Sequence, residues 1–99
     1  MSNSTDIATV DRTTIAPPRK WNVVFYNDDK TPMEFVIAIL MELYGHTAES
    51  AQAITMQVHE QGKAVAGTYY IEIAEQKCTD TLTSARSQGM PLQVEIEKS

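Results

Sequence analysis

The sequence predicts an α+β sandwich: a three-stranded antiparallel sheet packed against three helices, in the order β-α-α-β-α-β. Three observations carry this. A chain of 99 residues accommodates one small domain and a tail. Short β-branched and aromatic runs at Trp21–Tyr26, Thr68–Ile73 and Leu92–Ile96 alternate with longer stretches of helical periodicity. Turn and stop signals separate them, and helices gathered on one side of a sheet cover its apolar face.

Residues 1–18 are rich in Ser, Thr, Asn and Asp and end in Pro17-Pro18, a composition expected of a flexible N-terminal extension. The folded core is then expected over residues 19–99. Trp21 to Tyr26 reads as a strand stopped by Asn27-Asp28-Asp29. Thr31 is expected to cap the first helix, with Pro32 at its first helical position and Glu34 closing a capping box. Met33, Val36, Ile37, Leu40 and Tyr44 form its apolar stripe, and Gly45 ends it. Thr47 caps a second helix running to about Gln61, with Ala51, Ile54 and Val58 as its core stripe and Gly62 as its stop. The run Thr68–Ile73 reads as the second strand, followed by a helix from Ala74 to Ser87 with Ala74, Cys78, Leu82 and Ala85 inward. Gly89 and Pro91 break that helix, and Leu92, Val94 and Ile96 alternate with polar residues in a last half-buried strand.

A net charge of −5 with eight scattered Lys and Arg argues against nucleic-acid binding, which needs clustered cations. One cysteine, Cys78, rules out an internal disulfide framework and suits a reducing compartment. No apolar run approaches bilayer length and no secretory signal is evident, so a cytoplasmic protein without membrane contact is expected.

The stretch Tyr26 to Phe35 places an amide and two adjacent carboxylates between a strand and a helix. These groups suit a plain turn, a metal site, acid–base catalysis or recognition of a cation. Asp28, Asp29, His46, His59 and Cys78 lack the spacing of known metal sites, so no metal is expected. No catalytic residue is expected either: Cys78 lies on an apolar stripe, and adjacent carboxylates in a turn are not an opposed pair. An ammonium ion is donor-only, and Asn27, the two carboxylates and a neutral His59 all offer acceptors. Thr55 precedes His59 by one turn on the same face, while Met33 and Val36 could wall an apolar pocket.

Taken together, Asn27-Asp28-Asp29-x-Thr31-Pro32-Met33-Glu34-Phe35-Val36, Val58-His59-x-x-Gly62-Lys63-Ala64, Glu72-Ile73-Ala74-Glu75-x-Lys77 and Pro91-Leu92 resemble the signatures of the ClpS family, the adaptors of the ATP-dependent Clp protease. The resemblance spans about Trp21 to Lys98. It implies a monomeric adaptor that performs no chemistry and needs no cofactor. Such an adaptor binds N-degron substrates, proteins beginning with Leu, Phe, Tyr or Trp, and delivers them to an AAA+ unfoldase, ClpA or a ClpC-like relative. Carried over residue by residue, it implies that Asn27, Asp28, Asp29 and His59 surround the substrate α-ammonium. Thr31, Met33, Val36, Thr55, Val58 and Leu92 would line the side-chain pocket, and Glu72 and Lys77 would dock the unfoldase N-domain. Residues 1–18 would be the family's mobile extension that engages the unfoldase, although before Pro17 they share only its polar character. At Thr55 the chain departs from the methionine common in that family. The alternative is a protein–protein interaction domain like the C-terminal domain of the ribosomal stalk protein, which has no need of an ammonium pocket.

Overall fold

Val23, Val24 and Phe25 are almost completely buried because the strand that carries them, β1 (Lys20–Tyr26), lies in the middle of the sheet. The computed structural model describes residues 18–99, so the expected N-terminal extension lies, apart from Pro18, outside the described residues. The remaining elements are α1 (Met33–Tyr44), α2 (Ala48–Gln61), β2 (Lys63–Tyr70), α3 (Ile71–Ser87) and β3 (Gln93–Lys98). The strand order is β2-β1-β3 with both pairings antiparallel. This is the predicted α+β order. No described helix is long and apolar enough to cross a membrane.

The sheet face that carries Val23 and Phe25 joins Val36, Ile39, Leu40, Ala51, Val58, Ala74, Ala85, Leu92 and Val94 in one buried cluster. The Phe25 ring meets the Tyr44 ring edge-on, with centroids 5.5 Å apart. On the opposite face, the Tyr26 hydroxyl donates to Glu97 and the Lys63 ammonium stands 5.7 Å from the Tyr26 ring. Val24, on that second face, is 2% exposed.

Two boundaries differ from expectation. β2 begins at Lys63 rather than Thr68, because Lys63, Ala64 and Val65 pair with Tyr26, Phe25 and Val24. Ala64, Ala66 and Gly67 have little strand propensity of their own, and the pairing with β1 overrides it. The register shifts opposite Val23 and Val24, leaving Ala66 as a bulge whose carbonyl accepts from His46 Nε2 at 2.6 Å. The helix after β2 begins at Ile71, three residues before the expected Ala74. The last ladder pair is Lys20 with Tyr70. Ile71-Glu72-Ile73 therefore meets no partner strand and enters the helix despite its β-branched residues.

The α1 entry is a further correction. Thr31 does not cap α1: the flanking residue is Pro32, and no side chain caps the helix. The Thr31 hydroxyl is engaged by Asp28 instead. Ile54, expected in the α2 core stripe, is only partly buried, and Thr55 is buried with Ala51 and Val58. The Thr47 cap of α2 forms as expected, accepting from the Ser50 amide at 3.1 Å.

Candidate functional site

The two halves of the site come from segments far apart in sequence. One is the turn from Asn27 to Pro32 between β1 and α1; the other is the last two turns of α2, which carry Thr55 and His59. Gly62 joins them. Its φ of 89° is the left-handed conformation that favours glycine, and it ends α2 with its amide on the Val58 carbonyl at 2.9 Å. The Gly62 carbonyl accepts from the Asn27 amide at 2.9 Å, and the next ladder pair is Tyr26 with Lys63. The end of β1 is thus held against the end of α2.

Between them lies a cavity of about 300 Å³ lined by Asn27, Asp28, Asp29, Thr31, Met33, Val36, Thr55 and His59. Its volume is at the lower end of the range for small-molecule sites. Its lining combines amide, carboxylate and imidazole groups with the apolar side chains of Met33 and Val36. Asn27, Asp29 and His59 make no side-chain hydrogen bond among the described residues, so their acceptors are open to a ligand.

Asp28 is different. Its Oδ1 accepts from the Lys30 and Thr31 amides, each at 2.8 Å, and its Oδ2 accepts from the Thr31 hydroxyl at 2.7 Å. Burial alone would raise the Asp28 carboxyl. The Thr31 hydroxyl, the two amides and the Arg86 charge outweigh it and hold the group below the ordinary carboxylate value. This brace went unpredicted, although the Asp-x-x-Thr spacing is a known turn signal.

Eight of the ten expected ammonium and pocket residues line this one cavity. Val58 and Leu92 do not line it; both are buried in the core cluster that includes Val36. Thr55 is 3% exposed, and its hydroxyl donates to the Ala51 carbonyl at 2.8 Å, turning the polar end back onto α2. Glu72 and Lys77 lie away from the cavity on α3. Glu72 is exposed, whereas the Lys77 ammonium donates to the Leu43 carbonyl at 2.5 Å and stands over the Tyr44 and Tyr69 rings at 5.8 and 5.7 Å. Among the described residues no group of three His, Cys, Asp or Glu side chains could hold a metal ion.

The family model for the ATP-dependent Clp protease adaptor protein ClpS matches residues 16–95. The chain belongs to the ClpS family. Relatives named ATP-dependent Clp protease adapter protein ClpS include one from Treponema denticola, 40% identical over 81 residues, which are 82% of this chain and 80% of that protein. Another, from Vibrio atlanticus, is 39% identical over 97 residues, covering 98% of this chain and 92% of the relative. Among solved structures, Agrobacterium tumefaciens ClpS2 bound to L-phenylalaninamide superposes with a TM-score of 0.81 at 29% identity. The match covers 84% of this chain and all of that one. ClpS proteins are adaptors of the Clp protease and not a catalytic family, and that role entails a substrate and an AAA+ Clp partner.

Proposed function

We propose that the protein captures substrates by their first residue, the α-ammonium against Asn27, Asp28, Asp29 and His59 and the side chain in the apolar half of the cavity. In this reading the first residues are Leu, Phe, Tyr and Trp, and delivery is to the N-domain of a ClpA- or ClpC-type unfoldase in the cytoplasm. The single observation that carries the proposal is the meeting of open acceptors and apolar wall in one cavity. The ligand of the Agrobacterium relative, L-phenylalaninamide, has the two features this cavity complements: a free α-amino group and an apolar side chain.

Magnitudes favour selectivity over extreme affinity. Each charge-assisted hydrogen bond to the ammonium contributes about 1.5–3 kcal/mol. An aromatic side chain of about 150–250 Å² adds about 4–6 kcal/mol on burial. Association costs offset a large part of that sum. Polar first residues lose hydration in the pocket without recovering it.

The docking surface in this reading lies on α3. Glu72 is its exposed contact, and Lys77, tied to the end of α1, fixes the helix that presents it. The core over residues 19–99 acts as a monomer, with residues 1–18 as the extension engaged during hand-off.

Thr55 tunes the pocket. A residue shorter than methionine, with its hydroxyl turned onto Ala51, leaves more room beside Val36 and Met33. Wider tolerance of large or β-branched first residues and a weaker hold on Leu are the expected result. A panel of peptides differing only in the first residue (Leu, Ile, Phe, Tyr, Trp, Ser, Asp) tests both statements by fluorescence titration. Apolar and aromatic peptides should bind while Ser and Asp peptides do not, and Thr55→Met should narrow the profile toward Leu. Equal binding across the panel would remove the function proposed, and identical wild-type and Thr55→Met profiles would remove the role of Thr55.

A further inference from the structure

Thr31 lines the cavity, yet its hydroxyl points along the turn to Asp28. A carboxylate only accepts, so the hydroxyl is the donor. Two carboxylate oxygens offer about four acceptor sites. Oδ1 receives two amide donors and Oδ2 receives one hydroxyl donor, which leaves a lone pair of Oδ2 as the unfilled acceptor of a residue in the cavity wall. We propose that Thr31 is a positioning residue for the ammonium site: its hydroxyl fixes the Asp28 carboxylate so that the open side of Oδ2 faces the incoming ammonium. The inference rests on the function proposed above.

The amides of Lys30 and Thr31 hold only Oδ1. Without the hydroxyl, Oδ2 loses its one side-chain contact and the carboxylate is oriented through Oδ1 alone. The groups around Asp28 are Asp29 and Lys30 in the same turn, His59 across the cavity on α2, and Arg86 from α3. Arg86 is itself held, donating from Nη1 to the Met90 and Leu92 carbonyls at 2.8 and 2.9 Å. Its charge therefore acts on Asp28 from a fixed place, and the Thr31 hydroxyl is the side-chain contact that substitution can remove cleanly.

The sign of the pH effect follows. The folded Asp28 carboxyl titrates below its ordinary value of 3.8, so its charge is present above that value and is lost as pH falls through the depressed one. Removing the Thr31 hydroxyl deletes one of the contacts that depress it, so the carboxylate is lost at a higher pH.

The test compares Thr31→Val, Thr31→Ser and the parent, with Thr31→Ala carrying the same comparison if valine disturbs the turn. Affinity for a Phe-initiated peptide is measured at neutral pH, and the Asp28 carboxyl is titrated by NMR in the free protein. Thr31→Val is expected to weaken binding about three- to tenfold and to move the Asp28 titration upward. Thr31→Ser should restore both. On an Asp28→Asn background, Thr31→Val should add no further loss. Binding by Thr31→Val within about twofold of the parent with an unmoved Asp28 titration would overturn the inference, as would an equal loss on both backgrounds. A parent that ignored the peptide altogether would instead overturn the function proposed, and the ammonium role of this pair with it.

Discussion

His59→Ala lowers the affinity for a Phe-initiated peptide by about 10- to 100-fold, and Asp29→Ala does the same, because each removes an acceptor from a charged donor. Both residues line the cavity, both are exposed, and neither makes a side-chain hydrogen bond among the described residues. Removing them therefore leaves no buried group unpaired in the free protein. Surface substitutions of that kind usually change stability by no more than about 0.5 kcal/mol. The expected signature is a large loss of binding with an unmoved melting temperature. Fluorescence anisotropy and a thermal melt of the same samples check it. Unchanged affinity in both variants would remove the site assignment, and a melting temperature that fell with the affinity would point to folding instead.

Phe25→Ala destabilises the fold by about 3–5 kcal/mol, the range for truncating a fully buried aromatic. Phe25 is 0% exposed at the centre of the sheet, and its ring is the partner of Tyr44. At about 4–8 °C per kcal/mol for a domain of this size, the melting temperature falls by more than about 12 °C. Small domains have little stability to spare, so part of the population unfolds near ambient temperature. A peptide ligand binds only the folded form and recovers part of the loss by mass action. Circular-dichroism melts with and without peptide measure both effects. Met41→Ala, at a side chain 41% exposed on α1, is the control that should barely move. A Phe25→Ala melt within about 3 °C of the parent would contradict the core described.

How far the sequence was legible depended on whether a feature was local. The Thr47 cap, the Gly45 and Gly62 stops and the alternation of Val94 with its neighbours are encoded within a few residues, and they form as read. The start of β2 was hidden because Ala64, Ala66 and Gly67 owe their extended form to pairing with β1. Ile71 to Ile73 looked like strand because its helical state depends on where β1 runs out of partners. The same division holds at the site. Asn27 to Val36 is one contiguous stretch whose acceptors and apolar residues are visible directly. That His59 and Thr55 face it depends on the Asn27–Gly62 hydrogen bond, a contact between distant segments that spacing alone does not reveal. The family resemblance supplied it. The resemblance also implied that Val58 and Leu92 line the pocket; both are buried in the cluster that includes the cavity residue Val36.

The central claim is that the cavity reads a free α-ammonium, and one pair of ligands tests it most directly. A fluorescence titration compares a Phe-initiated peptide with the same peptide acetylated at its N-terminus. Acetylation removes the charge and the donors while leaving the aromatic side chain unchanged. Acceptors left unpaired in a site built for them commonly reject the analogue by about 10⁴-fold or more; where the acceptors stay as exposed as Asp29 and His59, at least about 100-fold is predicted. Binding of the acetylated peptide within about threefold of the free one would contradict the account.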